Sequence, residues 1–263
     1  MKIGVLSKRE TGLTDKMRSF YKEKGHEVTI YTTKNLAVNS SLFENDFYIL
    51  KSKQLLFLYA GYFLYKNNIS VIPDPIISYT YKHRIESYYS IRKCGLNTPK
   101  IYMGTSKSIR KKLRESDYPL LIKPLMGSGS KGIKFIKSSG DLDSEKNKIL
   151  YCEKLIEGTH YLAYFIDEQI CVGEKKPFAN EHADIKLIKP EEDIKHALMI
   201  WREKYNLLFG HLDMIRESST NKLIVVDPGT FPEFSNWQNS NSIVPTICNL
   251  ILKRYYDKRE MNE

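Results

Sequence analysis

The chain has 263 residues, of which 41% are apolar and 27% charged, and its formal net charge is +10. This composition predicts a soluble globular protein that can bury a sizeable core, and the most apolar segment, residues 55–64, is too short to span a bilayer. The surplus of positive charge suits anionic ligands, whereas nucleic acid and membrane are not the expected partners.

The cysteines are scattered along the chain, at Cys94, Cys152, Cys171 and Cys248, without a CxxC pair. This spacing argues against a disulfide framework or a zinc site, and it fits reduced thiols. The N-terminus does not resemble a signal peptide. We therefore expect a cytoplasmic location.

The first part of the chain alternates predicted strands with predicted helices. Strands are expected at residues 2–6, 27–31, 46–50 and 69–72, with helices at 14–24, capped by Thr14, and at 54–67. Such alternation predicts a parallel sheet with crossover helices. Prolines at 73 and 75 suggest the boundary of a first domain, residues 1–75.

The remaining chain mixes strands and helices in a less regular order. Helices are predicted at residues 78–94, where Lys82, His83 and Arg84 lie in the first turns, and at 106–116, 191–205 and 242–258. Strands are predicted at residues 101–103, 120–122, 133–136, 149–156, 161–166, 169–172, 208–215 and 222–226.

A glycine-rich segment follows the strand at residues 120–122. The strand ends at Lys123, and the segment then contains Gly127, Ser128, Gly129, Ser130, Lys131 and Gly132. Glycine permits positive φ angles and lets backbone N–H groups converge on an anion. The segment is either a flap that closes over a polyphosphate or an ordinary Gly-Ser hairpin turn.

Two carboxylates, Asp213 and Asp227, lie in the last two predicted strands. If these strands pair through the turn at residues 217–221, both side chains can lie on one face. Two close carboxylates suit Mg²⁺, which binds one or two carboxylates together with substrate phosphates. The alternative is that both are structural acids paired with lysines.

Four motifs in this order resemble the ATP-grasp superfamily, and within it the RimK-like ligases and their inositol-phosphate-kinase relatives. They are Val71-Ile72-Pro73 with the following helix and its Gly95 to Pro99 exit, Leu121 to Pro124 with the glycine-rich segment, Cys152 to Gly158, and Gly210 to Asp213 with Val225 to Phe234.

This resemblance implies an α/β (α+β) fold. A Rossmann-like parallel-sheet domain, residues 1–75, would precede two α+β subdomains that sandwich the nucleotide. Residues 76–150 would carry the flap, and residues 151–263 would carry the metal site.

The resemblance also implies roles for single residues. Lys82 and Lys123 would contact ATP phosphates, and Lys123 and Lys131 would assist the transfer. Residues at the adenine and ribose would be Glu153, Lys154, Leu155 and His160. The transferring phosphate would be held by Gly127, Ser128, Gly129, Ser130, Lys131 and Gly132. Asp213 and Asp227 would bind Mg²⁺, with Mn²⁺ as the alternative ion.

The implied activity is an ATP- and Mg²⁺-dependent ligase that joins a carboxylate to an amine through an acylphosphate. The expected partners are small-molecule or peptide acids and amines, with an anionic character, and a homo-oligomer stays open. Gly229 stands where the family has an asparagine that bridges to metal. An ATP-binding member with degraded catalysis is therefore one alternative. A small-molecule kinase is the other, and it fits the positive charge and the Asp-x-x-x-Phe-Pro pattern equally well.

Overall fold

The computed structural model describes residues 1–127, 132–145, 148–176, 185–234, 237 and 240–260. Its first sheet is the parallel sheet predicted for the N-terminal part, with the order β2-β1-β3-β4. The strands are β1 Lys2–Leu6, β2 Glu27–Tyr31, β3 Phe47–Leu50 and β4 Ser70–Ile72, and the long helices between them are α1 Gly12–Glu23 and α2 Leu55–Lys66.

Helix α1 begins two residues earlier than the sequence suggested. Thr11, not Thr14, is the N-cap, and the two residues form a capping box. The Thr11 N–H donates to Thr14 Oγ1 at 2.8 Å, and the Thr14 N–H donates back to Thr11 Oγ1 at 3.4 Å. This exchange satisfies two backbone donors at the helix end, which favours the earlier start.

A second, four-stranded sheet forms a separate lobe in the middle of the chain. Its order is β5-β8-β6-β7, and all its pairs are antiparallel. The strands are β5 Ile101–Thr105, β6 Leu120–Lys123, β7 Lys134–Ile136 and β8 Ile149–Lys154. The lobe has its own apolar core, which includes Ile109, Leu120 and Leu142.

The predicted helix at residues 106–116 is much shorter in the structure. Helix α5 spans Ser106–Arg110, and a 3₁₀ turn follows at Glu115–Asp117. The Arg114 N–H donates to Asp117 Oδ2 at 2.8 Å, and Lys100 Nζ donates to Asp117 Oδ1 at 2.8 Å. These bonds to one carboxylate hold the chain in a new turn and prevent the helix from continuing.

The single helix predicted at residues 78–94 is divided in two. Helix α3 spans Pro75–Thr80 and helix α4 spans Arg84–Arg92. The Arg84 N–H donates to the Leu125 carbonyl at 3.0 Å, and His83 forms an isolated β-bridge with Met126. In a continuous helix the Arg84 N–H would donate to the Thr80 carbonyl. Because it donates to Leu125 instead, the helix is interrupted here.

The third sheet has five antiparallel strands in the order β11-β10-β9-β12-β13. They are β9 Gly158–Ile166, β10 Gln169–Lys175, β11 Lys186–Ile188, β12 Phe209–Glu217 and β13 Leu223–Gly229, of which β11 was not predicted. Helix α6, Glu192–Lys204, covers one face through the fully buried Trp201. The indole N–H of Trp201 donates to Tyr81 Oη at 2.8 Å, which joins the segment between α3 and α4 to helix α6.

The closing helix α7, Ser240–Glu260, joins the first and third sheets. It packs beside α1, where Tyr21 Oη donates to the Cys248 carbonyl at 3.3 Å. One core cluster contains Phe47 of β3, Phe209 of β12 and Ile251 of α7. The parallel sheet is therefore held against the sheet that carries Asp213 and Asp227. No helix in the described part of the chain combines the length and apolar character needed to cross a membrane.

Candidate active site

A cleft with about 900 Å³ of empty space lies between the middle sheet and the five-stranded sheet. Part of that space is open to solvent. Seven of the predicted site residues line it, namely Lys123, Glu153, Lys154, Leu155, His160, Asp213 and Asp227. Residues that are far apart in the sequence thus line one cleft, because the two sheets face each other across it.

Lys123 and Glu153 form a buried ion pair on the floor of the cleft. Their side chains are 8% and 6% exposed. Leu121 of β6 is the Cα partner of Glu153 on β8, so Lys123, two residues further on, is a diagonal neighbour on the same face. Glu153, which the sequence suggested would face adenine, thus contacts a cation inside the protein.

The far end of the cleft is apolar. Leu155 and Ile156 line it beside Ile215, and Ile156 packs with Ile215 and Ile224 in a small cluster. The backbone N–H groups of Lys154 and Leu155 donate to the carbonyls of Lys100 at 2.8 Å and Pro119 at 3.1 Å. Both N–H groups are therefore already hydrogen-bonded within the protein, where they hold the edge of the cleft.

Asp213 and Asp227 are direct cross-strand partners on β12 and β13, so the predicted pairing of these two strands is confirmed. Arg84 Nη1 lies 2.6 Å from Asp227 Oδ1, and Lys175 Nζ lies 2.9 Å from Asp213 Oδ1. Each carboxylate is therefore paired with a cation from another helix or strand.

The charges around Asp227 keep it ionised. Burial by itself raises the pKa of the Asp227 carboxyl, but the charge of Arg84 lowers it. Lys123 and Lys53 add to that effect, and the net pKa lies below its usual value. An ionised carboxylate at this position is available both to the guanidinium and to a cation that arrives with a ligand.

His160 on β9 lines the cleft beside Lys175. Burial lowers the pKa of the His160 imidazole, and the nearby Lys175 ammonium lowers it further, to about 4. The ring is therefore neutral at pH 7 and can serve as a hydrogen-bonding group there without adding charge.

The donor set fits a divalent cation that is shared with a phosphate ligand. Among the described residues, no group of three or more His, Cys, Asp or Glu side chains could hold a metal by itself. Asp213 and Asp227 supply two carboxylates on one face, and Mg²⁺ characteristically takes one or two carboxylates plus substrate phosphates.

Arg84 is a site residue that sequence reasoning missed. It is 7% exposed and lines the cleft, whereas Lys82 is not among the described residues that do so. The charge of Asp227 acts on the pKa of Lys82, so the lysine lies close by. The only signal was that Arg84 follows Lys82 by two residues at the start of a helix.

The glycine-rich segment is described at its two ends. Gly132 has a φ of +77°, the left-handed conformation for which glycine was expected. A Cβ added to Gly127 would lie 3.9 Å from Arg84 Nη2, so this end of the segment adjoins the cleft. Ser128, Gly129, Ser130 and Lys131 lie outside the described residues.

Comparison with known proteins agrees with this architecture. Residues 82–181 match the model of the ATP-grasp domain. A sequence search of curated proteins gave no match.

Solved structures resemble the chain over almost its whole length. A RimK domain ATP-grasp protein from Sphaerobacter thermophilus has a TM-score of 0.78 at 9% identity, over 95% of this chain and 99% of that one. D-alanine–D-alanine ligase from Bacillus anthracis, complexed with ATP, has a TM-score of 0.72 at 15% identity, over 100% of both chains.

A further similar structure is a RiPP-associated ATP-grasp ligase from Chryseobacterium gregarium, in complex with ADP and a leader and core peptide. It has a TM-score of 0.70 at 13% identity, over 96% of this chain and 97% of that one. The chain therefore has the ATP-grasp fold that the sequence indicated, and its residues 82–181 match the model of the ATP-grasp domain.

Proposed function

We propose that the cleft binds Mg·ATP and that the chain uses it to join a carboxylate to an amine. The single observation that carries the proposal is the convergence of Lys123 from one sheet and Asp213 and Asp227 from the other on one cleft. A cation-rich cleft with paired carboxylates and an apolar end suits a magnesium nucleotide. The similar solved structures include proteins named as ligases and complexed with ATP or ADP.

The cleft offers a distinct environment to each part of the nucleotide. The apolar end around Leu155, Ile156 and Ile215 would receive the base, with His160 at the ribose. Lys123 and Arg84 would bind phosphate oxygens as charged donors, which form the stronger class of hydrogen bonds. The glycine-rich segment would cover the phosphates, with Lys131 near the one transferred.

In the proposed reaction the acid's carboxylate oxygen attacks the terminal phosphorus of ATP, and ADP leaves. The amine then attacks the acyl carbon, the amide bond forms, and inorganic phosphate and a proton are released. Positive groups around the phosphates stabilise the charge that develops during transfer. Mg²⁺, held by Asp213 and Asp227, would neutralise phosphate charge when bound.

The substrate acid is proposed to be anionic beyond its reacting carboxylate. Its pocket would lie between the parallel sheet and the part of the five-stranded sheet that carries Lys175. Peptides and small molecules both fit this description. The RiPP-associated ligase among the similar structures is complexed with a peptide.

A second candidate is ATP binding without turnover. It is favoured by Gly229, and by the ion pairs that already occupy Asp213 and Asp227. In this case Mg·ATP would bind and protect the fold, but no acid would be consumed.

One assay separates these functions. The chain is incubated with Mg·ATP and a panel of acids, amines and polyols, while ADP, inorganic phosphate and the melting temperature are measured. A ligase releases phosphate only when acid and amine are both present, whereas a kinase transfers it to an alcohol. A binding protein shows only a higher melting temperature, because a ligand specific to the folded state stabilises it by about 2.7 kcal/mol at 100 times its Kd. No thermal shift at millimolar Mg·ATP would contradict the whole proposal.

A further inference from the structure

The cleft carries more positive than negative charge at its polar end. The described carboxylates there are Glu153, Asp213 and Asp227. The cations Arg84, Lys123 and Lys175 line the cleft as well, and Lys53 and Lys82 lie near Asp227 outside that lining. An excess of positive charge around a cleft favours an anionic ligand. Of these cations, Lys53 alone comes from the parallel-sheet domain.

Lys53 lies against Gly229, two residues beyond the cleft-lining Asp227. A Cβ added to Gly229 would stand 2.4 Å from Lys53 Nζ and 2.0 Å from His211 Cε1. Any side chain at position 229 would therefore collide with the ammonium and the imidazole. The absence of a side chain at Gly229 is what lets the lysine of one domain approach the strand of another.

The segment that carries Lys53 is well anchored. The N–H groups of Lys51 and Ser52 both donate to the Leu6 carbonyl at 3.0 Å. The Lys51 ammonium, with a side chain 6% exposed, lies 2.6 Å from Glu233 Oε1. Lys53 therefore extends from a fixed backbone towards the end of β13.

The register of β12 and β13 tells which part of a nucleotide Lys53 would meet. Along this hairpin the cross-strand pairs run from Ile215 and Ile224 at the apolar end, to Asp213 and Asp227, and then to His211 and Gly229. Same-face pairs two residues apart are about 7 Å apart along a strand. A nucleotide with its base at the apolar end thus directs its last phosphate past the carboxylates, towards Lys53.

A second observation at the same place is a polar atom in need of a partner. His211 Nδ1 is buried and has no hydrogen-bond partner among the described residues. The imidazole lies against Gly229, next to the Lys53 ammonium. A bound anion beside Lys53 would give this nitrogen a polar neighbour.

We propose that Lys53 binds the terminal phosphate of the nucleotide and makes the site selective for a triphosphate over a diphosphate. This inference rests on the proposed function, because it assumes that the cleft holds a magnesium nucleotide. It assigns to the parallel-sheet domain a direct part in nucleotide binding. It also explains why a glycine stands at position 229.

The test compares two nucleotides that differ at the terminal phosphate. Calorimetry measures the Kd of Mg·β,γ-methylene-ATP and of Mg·ADP for the wild type, Lys53→Met and Lys34→Met. Lys34 is an exposed lysine of the same domain and serves as the matched control. Lys53→Met should weaken binding of the triphosphate by about 10-fold or more, which is the effect of losing a charged hydrogen bond. The Kd of the diphosphate should change by less than about twofold.

The outcomes distinguish the two proposals. If the wild type binds neither nucleotide, the proposed function and this inference both fail. If the wild type binds both nucleotides, and Lys53→Met weakens the binding of both equally or leaves both affinities unchanged, only the inference is overturned. Gly229→Ala supplies an independent check, because it should displace Lys53 and lower triphosphate affinity selectively in protein that still melts cooperatively.

Discussion

The ion pair of Lys123 and Glu153 is almost fully buried, and this makes each partner depend on the other. Replacing Lys123 with Met should lower the free energy of unfolding by about 3–5 kcal/mol, because it leaves the Glu153 carboxylate buried without its cation. Urea denaturation measures the change.

The double variant Lys123→Met/Glu153→Gln is the control for that loss. It removes both charges together, so it should be more stable than Lys123→Met alone. A Lys123→Met protein within about 0.5 kcal/mol of the wild type would show that the pair does not stabilise the fold. Under the proposed function Lys123 binds phosphate, so the nucleotide affinity of the variant should also fall.

The shifted pKa of His160 predicts how the stability of the protein depends on pH. Its pKa is held at about 4 in the folded protein, below the ordinary value of 6.5, first by burial and then by Lys175. The unfolded chain therefore binds a proton more readily between these values. The contribution of His160 to stability is present above pH 6.5 and is lost as the pH falls towards 4.

The measurement is the difference in melting temperature between the wild type and His160→Gln from pH 4 to pH 7.5. His211 is also held neutral by burial, with a pKa of about 3, so the wild type alone would report both rings. The difference curve should slope between pH 6.5 and pH 4 and flatten above. A flat difference throughout would mean that His160 titrates in the folded protein as it does in the unfolded chain.

At the next scale, the hairpin of β12 and β13 brings together the two carboxylates that we propose bind the metal. It needs no distant contact, because the turn after Glu217 returns the chain so that Asp227 pairs with Asp213. The cations that reach this hairpin come from other elements, Arg84 from the start of α4 and Lys175 from the end of β10. The hairpin thus forms from a short stretch of the chain, and other elements supply the cations that pair with its carboxylates.

Asp213→Asn should separate metal binding from folding. The Asp213 and Lys175 side chains are 22% and 17% exposed, so loss of their ion pair should change stability by only about 1 kcal/mol. The Mg²⁺-dependent part of ATP affinity should fall, whereas metal-free binding should not. Calorimetry with and without Mg²⁺ measures both, and Asp193→Asn, an exposed acid of α6, is the control. Unfolding of Asp213→Asn would instead assign the residue a structural role.

For the whole molecule, helix α7 is the connection that joins the first and last parts of the chain. Its buried residues share one core with β1 and β3 and with β9 and β12. The parallel sheet is thereby held where the loop after β3 can present Lys53 to Gly229. The middle sheet has a core of its own and faces the cleft from the other side.

Ile251→Ala tests that connection. Ile251 is fully buried in α7, and the truncation should cost about 2–5 kcal/mol of unfolding free energy, the usual effect of a core cavity. Ile149→Ala, at a residue that is 61% exposed, should change stability by no more than about 0.5 kcal/mol. Urea unfolding followed by tryptophan fluorescence compares them. Equal stabilities would show that α7 does not hold the two sheets together.

The sequence by itself determined the local elements and several of their consequences. Alternation of strands and helices predicted the parallel sheet, and two neighbouring predicted strands joined by a short turn predicted the hairpin that pairs Asp213 with Asp227. Lys123 could be found at the end of a buried strand because its neighbours are apolar and a glycine-rich segment follows. These are short-range properties of the backbone, so they can be read from neighbouring residues.

Only the tertiary structure decided which charges meet. Arg84 reaches Asp227 because the backbone of Arg84 is tethered to Leu125, which also divides the predicted helix. Lys53 reaches Gly229 because α7 holds two sheets together, and strand β11 forms only as a partner of β10. These contacts join residues far apart in the chain, and the order of residues along one segment carries no information about a partner in another.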